Sequence, residues 1–595
     1  MFLTFLGIFV LLLPFSLVLA FPDRRKGFLA MFIAVFSFHL ILAIVTQAMH
    51  MFSFGVVFSA SLVFGLVALF FAIKKMVPVT GVKINWFVLS IFFTSFLLLY
   101  SIHFNYTGSI VGITGYTEIS KSSYPYPMYS DEWIAVALAD WSMRENALPL
   151  FNPLYTNTPF LNFLVAFHAF VAEIFLLLNL APLTGYAWLT IASGMLLSVC
   201  VYQMLRSSKA SAFASAVGAL GIFFITNSGN FPSTWAFIPY HLSLVFILVA
   251  IAFAMMKSNI LSAASILLAL IFYPPIVVFA VPIFIGAYLK NNSSEKVFLE
   301  NKFIVGIALV VVSFISLWLT LSASFSSSVI FSRAVSFLVR DSLETGIISF
   351  MPWNVLPVFL LPFILLGLFK LFRDQMFPLA FPIIVGSVMW AMYGFVEKVI
   401  LIEPGRVVAI TAVLLVAVSA FGIDMLVQSV VKRYPYFSNK FIQNFLKVIV
   451  AIAFIILSLY VARLNRWEKL PLLVSAGNEV KKYSPAPPVT RYLHPDDLSL
   501  FADIEGKVFL APAWKGLVVG VATGNFPLES KYSTISNLYL RYSDFMNANC
   551  ESKARYATRY KVSYVYSSQF SCSNFIEIGR SGEGLVLYQF KLVSF

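Results

Sequence analysis

Two adjacent carboxylates, Asp131 and Glu132, stand in the stretch Tyr129-Ser-Asp-Glu-Trp133, and Asp140, Arg144 and Glu145 follow on the same segment. A carboxylate placed this way can take a proton from an attacking hydroxyl, or hold a divalent cation (Mg or Mn) that neutralises a phosphate leaving group. The pair has a second reading. Ser130 or Asp131 can cap a helix, with the acids favouring the positive end of its dipole. Far along the chain, Glu397-Lys398 and then Glu403-Pro-Gly-Arg406 precede a long apolar run. An arginine at the mouth of a membrane helix is costly without an anionic partner, and its planar fork matches phosphate. Snorkelling to the interface is the alternative. His241 follows Trp235-Ala-Phe-Ile-Pro-Tyr240, and Tyr273 precedes Pro274 and Pro275. A lone histidine of this kind is usually a satisfied core residue, whereas the Tyr-Pro-Pro element marks a kinked, cavity-lining hairpin. Arg333, Arg340, Asp341 and Glu344 either bind a polar ligand or, the favoured reading, solvate an interfacial helix. No HExxH, CxxC, GxSxG or P-loop pattern occurs, so zinc proteolysis and ATP hydrolysis find no support.

These groups must be positioned by membrane helices. The chain has 595 residues, 60% hydrophobic and 11% charged, with 63 phenylalanines and a mean hydropathy of +0.89. A soluble domain carries about a quarter charged residues. Segments at 2–21, 28–47, 53–73, 84–103, 185–205, 210–227, 236–256, 259–272, 276–289, 303–322, 354–370, 377–393, 407–427 and 447–463 give about fourteen spans by length and apolarity. The basic residues fall on alternate loops. Eighteen, from Arg24 to Lys447, lie in one set, against six (Lys121, Arg144, Arg333, Arg340, Lys398, Arg406) in the other. That asymmetry makes the first set cytoplasmic. It also accounts for the net charge of +14 without a nucleic-acid partner. The N-terminus and the 104–183 loop are then extracytoplasmic. Residues 160–180, with His168 and Glu173 inside, read as a helix lying at, or dipping into, the outer interface rather than a span.

The chain divides into a multi-spanning membrane domain, 1–465, and an extracytoplasmic domain, 466–595. Composition turns polar after Arg463 and a Pro-rich stretch follows at 484–488. Short β-rich runs at 507–511, 517–521, 562–566 and 585–589 alternate with helical stretches near 494–503 and 533–557. That pattern predicts a small α/β domain. Cys550 and Cys572 either pair there, in an oxidising compartment, or remain two buried thiols.

The Asp-Glu pair opening an outer-loop helix, the Pro-containing stretches Leu148–Pro153 and Asn157–Pro159, and the interfacial apolar helix together resemble the GT-C glycosyltransferases. The likeness is greatest to the branch of protein O-mannosyltransferases and lipid A aminoarabinose transferases. Phe509-Leu-Ala-Pro-Ala-Trp514-Lys515-Gly516, Thr523–Pro527 and Ser533–Asn537 are similar to the region around the Trp-Trp-Asp-Tyr-Gly motif of oligosaccharyltransferase catalytic subunits. Here Ala513-Trp514-Lys515-Gly516 stands in place of that motif. The chain also carries about four helices before the acidic loop, where the family has one.

The resemblance implies a GT-C-like helical membrane protein with an extracytoplasmic α/β domain. It implies transfer of a sugar from a polyprenyl-phosphate-linked donor to a lipid, glycan or protein acceptor. Asp131 would be the catalytic carboxylate, Glu132 its assistant or a metal contact, and Arg406 the phosphate ligand. Glu403, His241, Tyr273, Arg144 and Asp140 would line the substrate site. A lipid or sugar transporter, or a non-catalytic scaffold, are the competing classes. A transporter predicts inverted repeats and mid-membrane charges; the apolar helices here carry few, Asp424 being one near a cytoplasmic end.

Overall fold

The computed structural model describes residues 2–75, 86–112, 115–154, 162–225, 236–291, 339–341, 352–393, 398–433, 489, 491–530 and 540–591. The expected segments at 303–322 and 447–463 lie outside these. Apolar runs with no interior charge fold as helices, because only a helix satisfies every backbone N–H and C=O within one apolar segment. The helices in chain order are α1 Phe2–Leu12, continued by a 3₁₀ segment Leu13–Ala20, then α2 Arg24–Ala48, α3 Phe54–Lys74 and α4 Trp86–Phe104. Next come α5 Ser130–Glu145, α6 Val165–Leu178, α7 Pro182–Ser207, α8 Ala212–Gly221, α9 Pro239–Met255, α10 Asn259–Phe272 and α11 Val277–Asn291. The membrane part closes with α12 Leu361–Arg373, α13 Phe377–Met392 and α14 Pro404–Arg433.

Among the described residues, six helical stretches are long and apolar enough to cross a membrane: Phe2–Ala20, Arg24–Ala48, Phe54–Lys74, Trp86–Phe104, Pro182–Ser207 and Pro404–Arg433. The other expected spans among the described residues are shorter apolar helices. α14 is the axis of the bundle. From Pro404 to Asp424 each of its residues is buried except Arg406. α12 approaches it backbone to backbone, because a methyl group on Gly422 would lie 2.0 Å from the Phe363 carbonyl oxygen. Small residues permit such crossings where lipid gives no hydrophobic drive.

Among the described residues, polar contacts tie the helix ends together at two opposite ends of the bundle. At one end Arg25 bonds the Arg206 carbonyl at 2.8 Å, and Asp424 accepts from the Ser211 N–H at 2.7 Å. At the other end are Arg406, Asp131 and the α2–α3 turn. There His50 bonds the Asn146 carbonyl just past α5, at 3.0 Å.

α6 is the helix of the 160–180 segment. Its 14 residues fall short of the ~20 a span needs. It is no surface helix with a wet face either, since all but Leu176 are buried. α1, α2, α3 and α5 enclose it. Its Glu173 bonds His39 of α2 at 2.7 Å, and Gln47 donates to the Ala169 carbonyl at 2.9 Å. The extra N-terminal helices thus hold α6, which in turn supports α5.

The C-terminal part is a five-stranded mixed sheet, with short helices α15 Pro495–Leu500, α16 Ala513–Thr523, α17 Tyr542–Asn547 and α18 Cys550–Arg559. Its strands are Phe526–Pro527, Val508–Leu510, Tyr564–Ser567, Val586–Phe590 and Phe575–Arg580, in spatial order. The first three are parallel, and Val586–Phe590 runs antiparallel to both of its neighbours. Cys550 and Cys572 are disulfide-bonded. The run 517–521, expected as a strand, is the middle of α16. Gly516 and Gly520, one turn apart, let this helix press on Pro527, with a Cβ at Gly520 only 2.8 Å from the Pro527 ring. Gly524 ends it in the left-handed region, at φ +68°. The strand Phe575–Arg580 was not anticipated. It is an edge strand with Ile576 and Ile578 exposed.

Candidate active site

Asp131 and Glu132 open α5, but a rotation of about 100° per helical residue sends them to different surroundings. Glu132 is 1% exposed. Its Oε2 accepts from the backbone N–H groups of Met128 (2.9 Å) and Tyr129 (3.2 Å). Its Oε1 accepts from the Phe237 N–H (3.0 Å) and the Thr190 hydroxyl (3.3 Å). The capping function is therefore met by Glu132 at the third helical position. The same carboxylate joins α5 to α7 and to the start of α9. Burial raises its pKa to about 7, against the pull of those four bonds.

Asp131 faces the other way. Its Oδ2 lies 3.2 Å from Arg406 Nη2, with side chains 25% and 22% exposed. This contact joins residues 275 positions apart. Arg406 also bonds Glu403 through Nε at 2.9 Å and donates from Nη1 to the Tyr273 hydroxyl at 2.8 Å. The rings of Tyr240 and Tyr273 lie 5.8 and 5.2 Å from its guanidinium carbon, in cation–π range. Tyr273 reaches this position because Pro274 and Pro275 end α10. The Asp131 carboxylate is also close enough to His168, Tyr186, Tyr240 and Arg491 for its charge to act on each. Arg340 and Asp341, expected on an interfacial helix, lie instead in a two-stranded ladder, Val339–Asp341 against Lys398–Ile400, whose backbone pairing leads into this end of α14.

The C-terminal domain covers α5. Trp133, Ile134 and Leu138 pack with Leu493, Leu517 and Val518. The Arg491 carbonyl accepts from the Tyr124 hydroxyl and from Trp133 Nε1, both at 3.1 Å. Arg491 is thus held beside the acidic pair by its own backbone. The segment after it is fixed by a buried ionic cluster. Lys515 Nζ lies 2.5 Å from Asp497 Oδ2, pairs with Glu583 and donates to the Tyr492 carbonyl at 3.1 Å. Asp497 Oδ1 accepts from the Tyr566 hydroxyl at 2.6 Å. The stretch 513–516 therefore puts its lysine in the domain's interior, with no exposed surface.

The remaining expected residues are not gathered here. Asp140 and Arg144 form an exposed i,i+4 pair at 3.6 Å, each 61% exposed. They lie about 14 Å and more along α5 from Asp131, at 1.5 Å per residue. His241 is buried and bonds the Ala236 carbonyl through Nδ1. Glu397 lies outside the described residues. Residues not anticipated as part of the site are Tyr240, His168 and Arg491. Tyr240 stands at the second position of a helix opened by Pro239, which is the one sequence signal that aims a side chain toward this end.

A divalent cation shared by Asp131 and Glu132 does not fit this donor set. Ionised Glu132 has four lone-pair sites and four protein donors on them. Among the described residues no group of three His, Cys, Asp or Glu side chains is placed to hold a metal.

No protein-family model matches this chain, and no curated protein is similar in sequence. Solved structures of the Archaeoglobus fulgidus oligosaccharyltransferase are similar. One is AglB with an inhibitory peptide and a dolichol-phosphate, at 14% identity and TM-score 0.44, covering 81% of this chain and 69% of that one. A second carries a tethered acceptor peptide with the NVT sequon, at 13% identity and TM-score 0.45, covering 85% and 74%. A third is a complex with Zn and sulfate, at 14% identity and TM-score 0.41, covering 80% and 68%.

Proposed function

We propose that the protein is a membrane glycosyltransferase that moves a sugar from a polyprenyl-phosphate-linked donor to an acceptor hydroxyl on the extracytoplasmic face. The observation that carries this reading is the Asp131–Arg406 contact at 3.2 Å, partly exposed at the end of an otherwise buried helix. It puts a proton acceptor beside a cationic fork at one end of the bundle.

Within this reading, Arg406 binds the donor phosphate. Among the described residues three of its five N–H groups are engaged, by Glu403, Tyr273 and Asp131, which leaves two for an anion. An arriving phosphate competes with Asp131 for the guanidinium and releases the carboxylate to act as base. The acceptor oxygen attacks the anomeric carbon, and the bond from that carbon to the phosphate oxygen breaks. The electron pair leaves with the lipid phosphate, and the hydroxyl proton passes to Asp131. Tyr240 and Tyr273 hold the guanidinium plane, and Arg491 adds a second positive charge near the carboxylate. Glu132 is a positioning residue: it fixes the N-terminus of α5 and so the direction of Asp131. The sugar and the acceptor class, whether lipid, glycan or protein, are read from assay.

The test is Asp131→Asn in proteoliposomes supplied with a panel of radiolabelled polyprenyl-phosphate sugars. Transfer by wild type, abolished by the substitution, supports the proposal. Lipid or sugar translocation that survives the substitution, with no transfer by wild type on any donor, refutes it.

A further inference from the structure

A second polar site lies at the opposite end of the bundle. A cavity of about 660 Å³ opens between the first turns of α2 and α4 and the last turns of α7. Its walls include Arg24, Arg25 and Arg206 together with Phe28, Leu89 and Phe92. The site is remote from Asp131. α2 runs from Arg24 to the His50 turn beside α5, about 37 Å at 1.5 Å per residue. α7 runs from Thr190, which touches Glu132, to Arg206, about 24 Å by the same rise.

Each of the three guanidinium groups is held in place by a backbone carbonyl. Arg24 Nη1 donates to the Val18 carbonyl and Arg25 Nη1 to the Arg206 carbonyl, both at 2.8 Å. Arg206 Nη1 donates to the Ala210 carbonyl. Each bond uses one of five N–H groups. Among the described residues no carboxylate pairs with any of the three. The neighbouring Asp23 is committed as a helix cap, accepting from the Arg25 and Lys26 N–H groups at 3.0 and 3.2 Å. Three fixed positive charges around one cavity call for an anion, and the guanidinium fork selects phosphate. The other half of the wall decides the source of that phosphate. Leu89 and Phe92 are each 51% exposed, on the outer face of a helix apolar enough to span the bilayer. The cavity is thus basic at its end and apolar along the side that acyl chains would occupy. A free phosphate would leave that side wet.

We propose that this cavity binds the headgroup of an anionic glycerophospholipid, its phosphate on Arg24, Arg25 and Arg206 and its chains along Leu89 and Phe92. The site lies in the leaflet opposite the Asp131 centre and does not depend on the glycosyltransferase reading. A basic side chain near a membrane surface is worth about 1 kcal/mol toward an anionic lipid, so three give about a hundredfold preference over a zwitterionic one.

The experiment is native mass spectrometry of the purified full chain in detergent, titrated with phosphatidylglycerol or phosphatidylcholine. Wild type should retain one phosphatidylglycerol with about a hundredfold preference. Arg24→Gln should lose about fivefold of it, and the triple glutamine variant nearly all. Because Arg25 ties α2 to α7, Arg24→Gln supplies the test should the triple variant misfold. Millimolar inorganic phosphate should not displace the lipid. Equal binding of the two lipids by wild type, an unchanged preference in Arg24→Gln, or displacement by inorganic phosphate would each overturn the proposal.

Discussion

Replacing Glu132 with glutamine separates positioning from chemistry. The ionised carboxylate accepts from four donors: the Met128, Tyr129 and Phe237 N–H groups and the Thr190 hydroxyl. A glutamine keeps one acceptor oxygen and turns the other into an NH₂ donor. If that NH₂ faces Met128 and Tyr129, two buried N–H groups lose their acceptor. If it faces Phe237 and Thr190, the Thr190 hydroxyl can turn to the Tyr186 carbonyl, 3.2 Å away, and accept from the amide. Only the Phe237 N–H is then stranded. The second arrangement costs less and sets the expectation, a loss of about 1–3 kcal/mol for one unsatisfied buried donor. Thermal unfolding in detergent measures it. In a Thr190→Val background the rescuing acceptor is gone, and the same substitution should cost about 1 kcal/mol more. Sugar transfer should persist in Glu132→Gln at a reduced rate and vanish in Asp131→Asn. If Glu132→Gln were as stable as wild type yet lost transfer as completely as Asp131→Asn, Glu132 would belong to the chemistry and its positioning role would be refuted.

Three other outcomes follow from the same geometry. Arg406→Lys keeps the charge but not the fork that reaches Glu403, Tyr273 and Asp131 together, so transfer rate should fall about a hundredfold or more with the protein still folded. Glu132 titrates near 7 in the fold instead of 4.5, so the unfolded chain loses its proton first as pH rises. Wild type should therefore lose stability relative to Glu132→Gln as pH rises from about 4.5 to about 7, the ionised carboxylate keeping its four bonds against the cost of burial, and the difference between the two melting curves across that window reads it. Lys515→Met leaves Asp497 and Glu583 buried without their cation, and it should destabilise the C-terminal domain by about 3–5 kcal/mol, measured by protease resistance of the 491–591 region.

Much of the layout was legible because membrane insertion constrains sequence so strongly. Apolar runs marked where most of the described helices lie, and Glu403-Pro-Gly-Arg406 announced a charge at the lip of a helix. What the sequence left open was direction. Adjacent acids look equivalent in a string, and only the rotation of α5 sends Glu132 inward and Asp131 toward Arg406. Asp140 and Arg144 share that helix but stand too far along it. The run at 517–521 has strand composition, and its helical state depends on tertiary contact with Pro527 and α5, with the glycine pair at 516 and 520 as the only local hint. Tyr240 and Arg491 arrive from remote segments, so their roles depended on packing that no local pattern encodes.

The central claim is that Arg406 and Asp131 flank a lipid phosphate. An experimental structure of the full chain with a bound polyprenyl phosphate tests it most directly. The expected result is phosphate oxygens about 3 Å from the Arg406 guanidinium, with the isoprenoid chain leaving between the helices. A phosphate bound elsewhere, with the Asp131–Arg406 contact unchanged, would contradict it.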